Sequence, residues 1–118
     1  MKILTFLLLL TLFSGCEDKF EREKYDVTLY FKNTTAETVE LSVTETNHKI
    51  KWEKRIPPNE TYTLHFNIKK DIESREGGFI YKAIFPGGEV IEKNTGYYTN
   101  YQIQSPSRIS ITKEGFEI

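Results

Sequence analysis

From Tyr25 almost to the C-terminus, apolar and polar residues alternate with a period of two, and a chain patterned in this way must pair strands to cover its apolar rows. Val27, Leu29 and Phe31 lie on one face, with Thr28, Tyr30 and Lys32 on the other. Asn33-Thr34-Thr35-Ala36-Glu37 supplies turn chemistry, after which Val39, Leu41 and Val43 alternate with Glu40, Ser42 and Thr44. These two segments pair as a hairpin or form a sandwich corner. Ile50, Trp52 and Ile56 then point one way and Lys49, Lys51, Glu53 and Arg55 the other, while Lys54 breaks the register, as at an edge, a bulge or an exposed position.

Pro57-Pro58-Asn59 ends that strand, because proline cannot donate to a ladder, and Tyr62, Leu64, Phe66 and Ile68 make the next alternating row. A polar loop over Lys69–Gly78 has room for one helical turn. Phe79 to Phe85 is apolar on nearly both faces, as a central strand would be, and Pro86-Gly87-Gly88-Glu89 turns it tightly into Val90 and Ile91. Asn94-Thr95-Gly96 predicts a further turn into Tyr97–Ile103, Ser105-Pro106-Ser107 another, and Ile109 with Ile111 the last clear strand, with Phe116 and Ile118 packing at the C-terminal edge.

Seven or eight short strands without a helical period predict an all-β fold, an antiparallel immunoglobulin-like β-sandwich spanning residues 25–118. Trp52 falls on the third strand, where such domains often bury a tryptophan. Alternation does not report how sheets close, so a small barrel or a jelly roll stays open.

The N-terminus is patterned differently. Met1-Lys2 carries one positive charge, and Ile3 to Phe13 is an eleven-residue run whose only polar members are two threonines. A helix of that length covers roughly half of a ~30 Å hydrocarbon core, so the run reads as a signal peptide, residues 1–15, and not as a membrane span. Removing it leaves 103 of the 118 residues, one domain's worth, with 15 basic against 17 acidic side chains mixed along the chain. That balance leaves no basic face for nucleic acid.

Leu12-Phe13-Ser14-Gly15-Cys16 ends on the chain's only cysteine. The segment resembles the lipobox of bacterial lipoproteins, in which the cysteine receives a diacylglycerol and becomes the first mature residue. Phe13 stands where the family usually has leucine, with Leu12 one place further back. The resemblance implies a lipidated Cys16, membrane attachment through the acyl chains and a cell-envelope location. Residues 16–24 continue as a charged segment in which Phe20 is the one uncharged residue after Cys16, the composition of a solvated tether. Acidic residues directly after such a cysteine resemble the surface-export signal of Bacteroidota lipoproteins, though basic residues are interleaved here. The stretch from Tyr25 onward is similar to many small Bacteroidota envelope lipoproteins, Gly96-Tyr97-Tyr98-Thr99-Asn100 being its most specific piece. It implies the fold and a cell-envelope location, with the outer membrane expected and its face left open, and transfers no functional residue.

Chemistry is sparse. His48 and His65 lack a second histidine, a cysteine or a paired carboxylate at metal-ligand spacing, no serine has a nucleophile-elbow context, and the Gly pairs at 77–78 and 87–88 lack the strand-to-helix setting of a phosphate cradle. No catalytic residue, metal or cofactor is therefore expected. The one positive signal is aromatic: strand neighbours Tyr97 and Tyr98 cannot both face the core, so at least one ring is displayed, and with Tyr101 and Asn100 it forms a candidate binding surface for a protein or glycan. The expectation is a lipid-anchored, non-enzymatic interaction module of the envelope. A periplasmic inhibitor or immunity-type lipoprotein acting through the Lys69–Gly78 loop, or a structural surface component without a ligand, are the alternatives.

Overall fold

The computed structural model describes residues 24–47, 49–103 and 107–118, so the expected signal peptide, Cys16, most of the expected tether, His48 and the expected turn at Ser105-Pro106 lie outside the described residues. The described chain is an all-β sandwich of two sheets. Its strands are β1 (Asp26–Asn33), β2 (Val39–Glu45), β3 (Lys51–Ile56), β4 (Thr61–Asn67), β5 (Gly77–Ile84), β6 (Val90–Thr99), β7 (Gln102–Ile103), β8 (Arg108–Thr112) and β9 (Gly115–Glu117). One sheet has the order β4-β1-β8-β9 and the other β3-β2-β5-β6-β7. Because β1 and β2 fall in different sheets, the turn between them is a sandwich corner and not a hairpin.

The apolar rows read from the sequence become the facing surfaces. Val27, Leu29 and Phe31 of β1 and Leu64 and Phe66 of β4 meet Val39, Leu41 and Val43 of β2 and Phe79, Tyr81 and Ala83 of β5, all buried. The sides of the sandwich are closed by rings. Trp52 stacks on Phe66 at a centroid distance of 4.9 Å where β3 meets β4, and Tyr81 meets Phe116 edge-on at 5.8 Å on the β9 side.

Several expectations need correction. Trp52 is half-buried and not a core tryptophan, because β3 is an edge strand and one side of the indole stays open. The strand pairs are antiparallel except one: β1 and β8 run parallel, with Phe31 opposite Ile109. Nine strands are present among the described residues, two more than the lower expectation, since β7 and β9 are too short to announce themselves by periodicity. Ile118 is exposed, whereas Phe116 packs as expected.

Asn94-Thr95-Gly96 is not a turn. β6 runs straight through it, pairing Phe79 with Thr95 but Gly77 with Tyr98, so one extra residue is accommodated as a β-bulge. Gly96 sits there with φ +67°, and a Cβ at this position would lie 2.9 Å from the Phe79 ring. The bulge inverts the facing of everything after it. Simple continuation of the row Ile91, Lys93, Thr95 would bury Tyr97; instead Tyr98 is buried (1 % exposed) and Tyr97 is displayed (67 %).

A lysine stands opposite a buried residue both on β3, an edge of the five-stranded sheet, and on the part of β6 that precedes its pairing with β7. Lys54 of β3 pairs with buried Leu41, and Lys93 of β6 with buried Tyr81. These are the positions at which a charge discourages a further strand from adding.

Candidate functional site

The first strand enters, and the loops of interest gather, at the same end of the sandwich. Asp26, the first residue of β1, pairs with Asn67, the last of β4, and beyond Asn67 the chain makes one π-helical turn over Ile68–Ile72. The turn forms for local reasons: the Asn67 side chain accepts from the Lys70 amide at 2.9 Å, and the Asp71 carboxylate accepts from the Asn67 amide at 2.7 Å. Ile68 and Ile72 bury its inner side, and Glu73, with φ 59°, ends it with its amide donating to the Ile68 carbonyl. The helical turn anticipated in the Lys69–Gly78 loop is therefore present, beginning one residue earlier, and the loop proper shrinks to Glu73–Glu76 before β5.

That short loop is fixed at several points. Asn47 Nδ2 donates to Ser74 Oγ at 3.1 Å and also to the Glu76 carbonyl. The Tyr101 amide donates to the Arg75 carbonyl at 3.1 Å, and Arg75 Nη2 donates to Asn100 Oδ1 at 3.0 Å. Asn100 and Tyr101 are both left-handed, with φ 51° and 64°, and make the turn between β6 and β7. Tyr101 meets Tyr25 edge-on at 5.6 Å, and the Lys69 ammonium lies over both rings at 5.2 and 5.8 Å.

Beneath the loop sits a group the sequence reading passed over. Glu45, the last residue of β2, falls on the same row as Val39, Leu41 and Val43 and is fully buried. Its Oε1 accepts from the Asn47 amide and from the Tyr98 hydroxyl, each at 2.9 Å. Burial pushes the Tyr98 phenol up to about 12; a hydrogen bond with Ser74 offsets part of this, and the neighbouring Glu45 carboxylate adds to it. The signal for Glu45 was in plain view as a carboxylate two residues past Val43 on an apolar row.

The candidate surface thus divides. Tyr98 is internal and holds Glu45, Asn100 and Tyr101 shape the turn that pins Arg75, and Tyr97 is the one of the four that stands open to solvent with a large aromatic surface. Its ring edge rests on Gly78, where a Cβ would come within 3.2 Å of Cδ1. Beside it an open groove of about 570 Å³ runs between Asn47, Glu76, Asn94 and Thr99. His65 is exposed on β4, its Nδ1 2.8 Å from the Thr28 hydroxyl. Among the described residues no three His, Cys, Asp or Glu side chains are grouped as metal ligands, and no helix is long and apolar enough to cross a membrane.

No protein-family model, no curated protein and no solved structure matches the chain.

Proposed function

We propose that the chain is a lipid-anchored, non-enzymatic module of the bacterial outer membrane, which holds its tyrosine-bearing end close to the lipid and engages a partner there. The anchor is read from Cys16 behind an eleven-residue apolar run. The observation that carries the reading is where β1 begins: Tyr25 touches Tyr101, so the tether joins the domain at the end that holds Tyr97, Asn100 and Arg75. Eight residues, Glu17–Lys24, reach at most about 29 Å when fully extended, which keeps that end near the bilayer. The site supports binding over catalysis, since its buried carboxylate is turned inward onto Tyr98 and Asn47. The inhibitor reading has less support, because the Glu73–Glu76 loop is tied to Asn47 and Tyr101 and does not project.

The test is fractionation. The Cys16→Ser protein should leave the membrane fraction for the soluble one and remain folded, as the anchor lies outside the core; retention in membranes would reject the lipobox assignment. External protease on intact cells, with lysed cells as control, then reports which face of the outer membrane carries the domain.

A further inference from the structure

The geometry points to a stacking site for a neutral sugar on the outer face of the five-stranded sheet, built on Tyr97; the inference deepens the proposed interaction role by naming a ligand class. Three observations carry it. The Tyr97 ring passes beside the Gly78 backbone, which has no side chain to push it away, while 67 % of the residue stays open to a ligand. A pyranose places its C–H face on such a ring, and tyrosine brings that area at small entropic cost.

The groove beside the ring has the right polarity. Asn94, Thr99, Asn47 and Glu76 line it with amide, hydroxyl and carboxylate groups that exchange hydrogen bonds with hydroxyls, and its volume of about 570 Å³ falls within the roughly 300–1,000 Å³ of ordinary small-ligand sites. The charge is also selective. Among the described residues Glu76 is the groove's one charged lining residue and no cation lines it, which disfavours phosphate, uronate or nucleic acid. A smaller recess on the same face, about 320 Å³, shows the contrast: it is lined by Lys51, Lys54, Arg55 and Lys82 against Glu40 and Glu53, an excess of cations.

The site's floor is held by two hydrogen bonds. Gly78 is held by Thr46 on both sides, the Thr46 amide donating to the Gly78 carbonyl at 3.0 Å and the Gly78 amide donating to Thr46 Oγ1 at 3.2 Å. A ligand therefore meets a formed surface and spends little free energy ordering it.

The purified protein in detergent micelles is titrated with maltopentaose, cellopentaose and N-acetylchitopentaose, with polygalacturonate as the anionic control, and followed by amide NMR. Saturable shifts at Gly78, Asn94, Tyr97 and Thr99 with at least one neutral sugar are expected, weakened about tenfold or more by Tyr97→Ala and little changed by Tyr97→Phe, which keeps the ring. No saturable shift with any of the three, shifts that persist in Tyr97→Ala, or a preference for polygalacturonate would overturn the proposal. Vesicles of phosphatidylcholine with and without a neutral glycosyl diacylglycerol separate a membrane-borne sugar from a free one, and specific capture by either source supports the site. Because micelle binding does not depend on Cys16, a sugar site without membrane release of Cys16→Ser refutes the anchor alone, and the converse refutes the site alone.

Discussion

The two ends of the sandwich are each organised by a polar side chain at the end of an apolar row, Asn33 on β1 and Glu45 on β2, yet they are built to opposite effect. Asn33 is fully buried, and its Nδ2 donates to the Glu37 carbonyl at 2.7 Å and to the Ile56 carbonyl at 2.9 Å, while its Oδ1 accepts from the Thr35 amide at 3.0 Å. An amide offers both donors and an acceptor, so one residue closes a corner and staples the two sheets by itself. A carboxylate only accepts. Glu45 must draw its donors from elsewhere, and it takes them from Asn47 after β2 and from Tyr98 on β6. The corner after β1 is thereby closed largely by one side chain, whereas the end where β1 begins is assembled from Glu45, Asn47, Ser74 and Tyr98, which come from separate stretches of the chain.

The comparison breaks most readily at the corner after β1. Asn33→Ala removes four hydrogen bonds and strands a buried carbonyl, so we expect a loss of about 2–4 kcal/mol, read as a lower urea midpoint with an unchanged slope. A variant within about 0.5 kcal/mol of the parent would show that the corner does not depend on its amide.

Tyr98→Phe takes one donor from Glu45 and should cost about 1–3 kcal/mol. It also sharpens the contrast through pH. The unfolded phenol ionises near 10 and the folded one near 12, so the unfolded state releases its proton first; the stabilisation is complete below pH 10 and falls away as the pH rises toward 12, by roughly 2 kcal/mol from this residue. Denaturation between pH 9 and 12 should show a shallower decline in Tyr98→Phe, with the remainder contributed by groups such as Tyr62, whose phenol burial also raises. Equal declines in the two proteins would disprove the assignment.

The smallest effect belongs to the exposed pair. Arg75→Ala loses one solvent-facing hydrogen bond to Asn100 and should change stability by less than about 0.5 kcal/mol, while amide exchange at Tyr101 quickens as the loop loosens. A larger loss would mean that the loop supports the fold as well as the surface.

Much of this architecture was legible because burial obeys alternation. Val27, Leu29 and Phe31, then Val39, Leu41 and Val43, sit where their period placed them, and the β5–β6 hairpin turns at Pro86–Glu89. What escaped notice depends on partners remote in the chain. Asn94-Thr95-Gly96 has turn chemistry, but β5 supplies a ladder that keeps it extended and leaves Gly96 as the bulge. The parallel pairing of β1 with β8 has no local signature. For the candidate surface, the display of a tyrosine was readable from the pair Tyr97-Tyr98, whereas which of the two is displayed hinges on the bulge, and Glu45 was hidden by the habit of ending a strand at its last apolar residue.

Lys54 and Lys93 bear on how many copies can stand side by side. A sheet grows when the margin of one molecule finds the margin of another, and copies held at one surface in one orientation meet far more often than copies in free solution. A strand adding to β3 or to the first part of β6 would have to cover Lys54 or Lys93 and strip water from its ammonium. Two copies brought to high local concentration are therefore less able to merge through that sheet.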